Sequence, residues 1–208
     1  MAIEQIFFFI ILIPSIILHE VAHGHVANAL GDPTARLAGR LTLNPIRHVD
    51  LFGSIILPLL LILTPGNFII GWAKPVPYNP YNFQKGGRWG ELLVAGAGPA
   101  TNVLLAIAFA LVAHVGAHIP FLVSCSFIVV YVNILLAFFN LIPIPPLDGS
   151  KILSALLPSP LSFQYEHFRR TLENNSVLGF GAVILFIILF GGSFFQFIFT
   201  ISHILVGI

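Results

Sequence analysis

Two histidines and a glutamate, His19, Glu20 and His23, directly follow a run from Ile6 to Leu18 that contains no charged residue. Residues four apart lie on one face of a helix, so both imidazoles face the same way with the carboxylate beside them. This is the HExxH arrangement, in which two histidines bind zinc and the glutamate acts as general base. Ionisable groups inside an apolar helix are costly and usually functional, which favours a metal site here over chance.

A catalytic zinc site needs three protein ligands, so a third must come from elsewhere in the chain. We expect Asp148, which follows an apolar span in a stretch whose three prolines force an extended backbone. Such backbone is tolerated at membrane depth only against protein or a water-filled cavity. Alternatively, Asp148 caps a helix that starts near Ser150. Taken together with the two histidines, the pattern favours Asp148 as the third ligand of one Zn²⁺ per chain.

The composition indicates an integral membrane protein. Of the 208 residues, 57% are hydrophobic and only 8% are charged, whereas soluble domains carry about 25% charged residues. A single cysteine, Cys125, excludes an internal disulfide and a cysteine-based zinc site. There is no basic run suited to nucleic acid. We interpret residues 1–208 as one integral-membrane domain.

The pattern predicts an all-α polytopic membrane protein with four full transmembrane helices, at about 5–30, 91–113, 122–142 and 178–206. A fifth apolar segment, 51–70, contains a proline and a turn signal, so it is either a full crossing or a re-entrant hairpin. Partial alternation over 35–43 predicts a short strand or β-hairpin at the membrane surface.

The requirement that His19, His23 and Asp148 meet decides between these topologies. The spans that carry them must cross in the same direction, with an odd number of crossings between them, and 91–113 supplies one. Segment 51–70 is therefore expected to be re-entrant. Loops 31–50, 71–90 and 143–177 then share one side and hold all nine basic residues. The positive-inside rule places that side, and the active site near it, in the cytoplasm and both termini outside the cell.

These motifs resemble the site-2 protease family of intramembrane zinc metalloproteases. The resemblance rests on the HExxH helix, on the segment Asn140–Gly149 that contains Asp148, and on Gly98-Pro99-Ala100-Thr101-Asn102 between them. It covers most of the chain and is strongest to the compact prokaryotic branch, which has no PDZ insert or other regulatory domain. It implies three core helices around the site and a membrane-associated sheet that receives an unwound substrate, which fits residues 35–43.

The resemblance implies hydrolysis of a peptide bond within a transmembrane segment of a membrane-protein substrate. Glu20 is expected to take a proton from the attacking water and later pass it to the leaving amine. Asn140 either donates to the developing oxyanion or to substrate backbone, or is simply an asparagine at a helix end. Asn102 lies on the same face as Gly98, where helix packing is the first interpretation. The alternative is that Asn102 hydrogen bonds the substrate or the helix of the zinc ligands.

Two other classes of function compete with the protease. An ion-translocating protein would carry polar residues across several spans and often an internal repeat, and the sequence shows neither. A catalytically idle membrane-binding protein of the same fold would not need Glu20. The sequence names no substrate and gives no oligomeric state.

Overall fold

The computed structural model describes residues 2–56 and 73–208. Seven α-helices are found there: α1 (Ala2–Ala29), α2 (Thr34–Leu37), α3 (Gly90–Val115), α4 (Pro120–Asn140), α5 (Asp148–Leu156), α6 (Ser159–Asn174) and α7 (Ser176–Val206). Short turns of 3₁₀-helix occupy Pro45–His48, Pro80–Asn82 and Gly87–Trp89, and Leu51–Ile56 forms a π-helical turn. The all-helical prediction is confirmed for this part of the chain.

Four of these helices are long and apolar enough to cross a membrane: Phe7–Ala29, Gly90–Val115, Pro120–Asn140 and Val177–Val206. They agree with the four predicted spans to within a few residues. Many of their large apolar side chains are exposed, for example Leu104, Ile188 and Ile204, as expected of helices whose outer faces meet lipid.

Helix α3 is the centre of the bundle and packs most extensively on α4 and then on α1. Alanines at four- and three-residue spacing, Ala106, Ala110 and Ala113, let α4 and α7 approach closely. Val130 of α4 and Ile198 of α7 are fully buried against them. This core lies toward one end of the bundle and leaves the opposite end for polar groups.

The chain leaves α1 and returns to α3 at the same end of the bundle. The carbonyl of Leu30, just beyond α1, accepts hydrogen bonds from the N–H groups of Gln84 at 2.8 Å and Lys85 at 3.2 Å. Asp32, fully buried, accepts from the N–H of Asn79 at 2.7 Å and from the side chain of Asn82 at 2.8 Å. Burial raises the pKa of Asp32, but the hydrogen bonds it receives outweigh burial and lower the pKa overall.

The predicted strand or β-hairpin at 35–43 is wrong. Residues Thr34–Leu37 form one helical turn, and no strand occurs in the ranges 2–56 and 73–208. The N–H groups of Ala38 and Arg40 donate to the carbonyls of Thr34 and Ala35, at 3.0 and 2.9 Å. The backbone is thus satisfied locally, without the partner strand that a hairpin requires.

The re-entrant interpretation of 51–70 gains no support, because everything after Ile56 in that segment lies outside the described residues. What the described residues do show is that 73–90 has returned to the end of the bundle where α1 finishes.

Helix α6 is held to the start of α3 by a charge cluster. Arg169, whose side chain is 9% exposed, donates to Glu166 at 2.8 Å, to Glu173 at 3.0 Å and to Glu91 of α3 at 3.3 Å. Arg170 adds a 3.0 Å contact to Glu166 from the exposed side. The Arg169 guanidinium holds the pKa of the Glu166 carboxyl at about 2, well below its usual value. The cluster therefore fixes α6 at the polar end of the bundle.

Candidate metal centre

His19 and His23 lie one turn apart on α1, and Asp148 is the first residue of α5. All three side chains are buried. The Nε2 atoms of both histidines lie 3.1 Å from the same carboxylate oxygen, Asp148 Oδ2. The structure thus brings together the three residues for which the sequence predicts metal ligation. The N-cap position of α5 is Leu147, and Asp148 is already the first helical residue, so the capping alternative describes Asp148 poorly.

The far nitrogen of each imidazole is held by an acceptor on α3. His23 Nδ1 lies 2.6 Å from the carbonyl oxygen of Val94, and His19 Nδ1 lies 2.6 Å from Oδ1 of Asn102. A carbonyl oxygen only accepts, so each Nδ1 must carry the hydrogen and donate it. In the neutral imidazoles, both Nε2 lone pairs then point at the Asp148 carboxylate.

This arrangement fits a metal cation. Three acceptor atoms, two imidazole nitrogens and one carboxylate oxygen, lie within 4.8 Å of one another, and acceptors facing acceptors repel unless a cation lies between them. Two nitrogens and one oxygen are a donor set that catalytic zinc sites use. Hydrogen bonds to the far nitrogens are the usual support of such ligands, since they fix tautomer and ring orientation.

Asn102 is fully buried and belongs to a polar network between three helices. Its Nδ2 donates to Oδ1 of Asn133 on α4 at 2.9 Å, and Nδ2 of Asn133 donates to the hydroxyl of Ser15 on α1 at 3.1 Å. Asn102 does not line the cavity described below. Asn133 and Ser15 were not predicted, although polar residues within apolar spans were a signal that could have found them.

Gly98 lies against both ligand imidazoles. A Cβ at this position would be 2.6 Å from Cε1 of His19 and closer still to the Nε2 atoms of His19 and His23. The sequence predicts helix packing as the role of Gly98. The structure indicates a more specific role, because the missing side chain of Gly98 leaves room for the imidazoles of His19 and His23.

Glu20 lines the site and is held by backbone from a distant segment. Its Oε2 accepts the N–H of Val76 at 2.8 Å. The segment that contains Val76 is fixed by Arg40, whose Nη2 donates to the Lys74 carbonyl at 2.6 Å and to the Pro75 carbonyl at 3.3 Å. Sequence reasoning missed both Val76 and Arg40. A backbone donor leaves no side-chain signature, and the sequence indicates for Arg40 only a place in the predicted strand and among the basic residues of the loops.

A cavity of about 120 Å³ joins these groups. His19, Glu20, His23 and Asp148 line it, together with Asn140 at the end of α4. One N–H of the Asn140 amide donates to the carbonyl of Leu136 at 2.9 Å. An amide has two N–H donors, so this bond leaves one for a ligand in the cavity.

His48 is buried away from this cavity and interacts locally. Its Nε2 lies 2.8 Å from the Thr42 carbonyl oxygen, and its own carbonyl accepts from the N–H of Lys74 at 2.9 Å. His25, two residues beyond His23, is exposed on the other face of α1. Neither contributes a ligand atom to the cluster.

The family comparison matches the chain over residues 7–121 and 115–170, to "Peptidase family M50". The Bacillus subtilis protein named "Putative zinc metalloprotease YwhC" is 44% identical over 158 residues, which are 72% of this chain and 68% of the relative. Two proteins named "Putative zinc metalloprotease Rip2", from Mycolicibacterium smegmatis and Mycobacterium tuberculosis, are each 31% identical over 138 residues, 65% of this chain. The matched region spans about half of each Rip2 protein, 51%. No solved structure gives a significant match. With a buried His-His-Asp cluster among apolar helices and a family match over most of its length, the chain belongs to peptidase family M50, the site-2 protease family of membrane metalloproteases.

Proposed function

We propose that this chain hydrolyses peptide bonds within or near transmembrane segments of membrane proteins, with one zinc held by His19, His23 and Asp148. The observation that carries the proposal is the convergence of two lone-pair nitrogens and a carboxylate oxygen inside the span Phe7–Ala29 and its neighbours. The names of the relatives support zinc as the metal. Zinc bound there would supply a Lewis acid that polarises the scissile carbonyl and acidifies water.

Glu20 is the general base of the proposed reaction. The Val76 N–H donates to Oε2 and fixes the carboxylate, which lines the cavity. Glu20 takes a proton from the attacking water and delivers it to the amine of the leaving fragment. Asn140, through its second N–H, donates to the carbonyl oxygen of the substrate as charge develops or to the substrate backbone.

Asn102 supports the metal site in this scheme and does not bind substrate. It is fully buried, and it accepts the Nδ1 hydrogen of His19. The interpretation of Asn102 as a partner of the ligand helix is thus the one that the geometry favours. Its network with Asn133 and Ser15 fixes the amide orientation, since every member has a partner.

The proposed orientation places the polar end of the bundle, and the site near it, at the cytoplasmic face of the cell membrane. The end that carries α2, α5, α6 and residues 73–90 holds the basic residues, which the positive-inside rule puts in the cytoplasm. Both chain ends then face the outside. A reporter fused after Lys85 should read as cytoplasmic, and an extracytoplasmic signal would overturn this orientation.

The central experiment compares metal content and cleavage in purified variants, with single-span peptides as substrates. Wild type should hold one zinc per chain and cleave. Glu20→Gln should keep the zinc and lose cleavage by about 10²–10⁴-fold, the usual contribution of a general base. The double variant His19→Ala with His23→Ala should lose both. His25→Ala, which removes an exposed histidine of the same helix, is the matched control and should retain both.

Two results would refute the proposal. Unchanged cleavage by Glu20→Gln would remove the assigned base, and stoichiometric zinc in the double histidine variant would remove the metal site. Wild-type protein that holds zinc but cleaves none of the peptides would favour a non-catalytic binding protein of the same fold instead.

A further inference from the structure

Lys151 is a charged group in the cavity for which the proposed mechanism has no role so far. Among the described residues that line the cavity, it is the only lysine or arginine, and the carboxylates Glu20 and Asp148 line the same cavity. It lies three residues after Asp148 on α5, so both side chains project from the same face of that helix. A lysine in a partly enclosed site is costly, which calls for a reason beyond solubility.

The Asp148 carboxylate lies between the histidines and Lys151. Its Oδ2 faces the two imidazoles at 3.1 Å, while its Oδ1 lies 3.9 Å from the Lys151 ammonium. That second distance is longer than a hydrogen bond. The carboxylate therefore attracts the ammonium without consuming its donors, of which a lysine has three.

Tyr78 holds the ammonium from the other side. The Lys151 Nζ lies 5.3 Å from the centroid of the Tyr78 ring, within the range of a cation–π contact. The Tyr78 ring is itself stacked on Phe83, with centroids 6.2 Å apart and planes 8° from parallel. The positive charge is thus kept at the cavity wall beside the metal ligands rather than swung out to solvent.

We propose that Lys151 is a further catalytic residue, whose ammonium stabilises the negative charge that develops on the scissile carbonyl oxygen. In the step concerned, the water oxygen bonds to the carbonyl carbon, the π pair moves to the carbonyl oxygen, and the water proton goes to Glu20. Lys151 transfers no proton and acts through its charge and its N–H donors. The inference rests on the proposed function and adds a residue to it.

The placement suits this role for two reasons. Charge developing in a site of low dielectric is stabilised far more by a fixed cation than it would be in water. The charge is also needed only in the transition state, so Lys151 should raise kcat and leave substrate binding nearly unchanged. Asn140 on the same cavity wall offers a neutral N–H, and Lys151 adds the full charge that an amide cannot provide.

The test measures kcat, KM and zinc content for Lys151→Met and Lys151→Arg, with Lys85→Met as the matched control that removes an exposed lysine. Lys151→Met should lower kcat about 10²-fold, the cost of removing one oxyanion donor. KM should stay within about threefold, and zinc should remain at one per chain. Lys151→Arg should recover most of kcat, and Lys85→Met should match wild type.

Each other outcome overturns the inference. Wild-type kcat in Lys151→Met removes the catalytic role, a change confined to KM assigns Lys151 to ground-state binding, and loss of zinc shows that it acts through Asp148. If Lys151→Met is unfolded by its melting curve, Lys151→Gln takes its place with the same expectations. Failure of wild type to cleave at all would instead refute the proposed protease function, so the two failures are distinguishable.

Discussion

Substitution of Gly98 by alanine tests whether α3 shapes the metal site. The added Cβ would lie 2.6 Å from Cε1 of His19, and ordinary van der Waals contact begins at 3.4 Å. The imidazole must therefore move by about 0.8 Å, whereas metal–ligand distances tolerate only about 0.2 Å. His23 is pushed at the same time, because its Nε2 is at least as close to the new methyl group.

The expected cost follows from these contacts. Overpacking of a tight site costs about 1–3 kcal/mol, and about 1.4 kcal/mol is a tenfold change in affinity. Gly98→Ala should therefore weaken zinc binding about 5- to 150-fold and lower cleavage accordingly. Competition with a chelator of known affinity gives the zinc dissociation constant, and cleavage of a single-span peptide gives the activity.

Gly96→Ala is the matched control, two residues earlier on the same helix. A Cβ there has nothing within 4 Å. Both variants share the helix-propensity gain of alanine over glycine, about 0.5–1 kcal/mol. The difference between them therefore isolates the contact with the imidazoles. Equal zinc affinity in the two variants would refute the conclusion that Gly98 makes room for the ligands.

Three further variants test the supports of the site. Asn102→Leu removes the acceptor of the His19 Nδ1 hydrogen and should weaken zinc binding about 10- to 100-fold in chelator competition; wild-type affinity would contradict the assigned role. Val76→Pro deletes the N–H that Glu20 accepts, so cleavage should fall about tenfold or more with zinc retained, whereas Val76→Ala should keep both. Arg169→Met leaves three carboxylates without their shared partner and should lower the free energy of unfolding by about 2–3 kcal/mol, seen in detergent melts. Arg170→Met, on the exposed side, should leave the free energy of unfolding nearly unchanged, and an equal effect of the two variants would contradict the argument.

The part of the site that sequence could predict is the part set by local spacing or by topology. The i, i+4 relation places His19 and His23 on one face of α1 whatever surrounds it. That both histidines and Asp148 meet was also expected, and both Nε2 atoms do lie 3.1 Å from Asp148 Oδ2. The four spans followed from length and hydropathy alone, since an apolar helix in lipid needs no partner to satisfy its backbone.

The supports could not be predicted, because they are long-range contacts of backbone groups and common polar residues. The Val94 carbonyl and the Val76 N–H lie 71 and 56 residues from the side chains that they hold. Both are backbone groups of valines, so no side chain in the sequence indicates their role. The failed strand at 35–43 has a related cause: alternation suggests a pleated segment, but only a partner strand can stabilise one, and Thr34–Leu37 closes its own hydrogen bonds.

Helix α3 contributes no predicted ligand. Three of its residues at four-residue spacing, Val94, Gly98 and Asn102, nevertheless define the geometry of the ligands on α1. Helical carbonyls point toward the C-terminus and side chains lean toward the N-terminus. The Val94 carbonyl and the Asn102 side chain therefore converge from opposite directions on the level of Gly98. That convergence matches two histidines one turn apart, with one acceptor for each Nδ1 and the missing side chain of Gly98 between the rings. A shift of α3 by one residue along α1 would move both acceptors away from the Nδ1 atoms. The register of these two helices, and not the HExxH sequence alone, therefore determines that both Nε2 atoms are free to bind a metal.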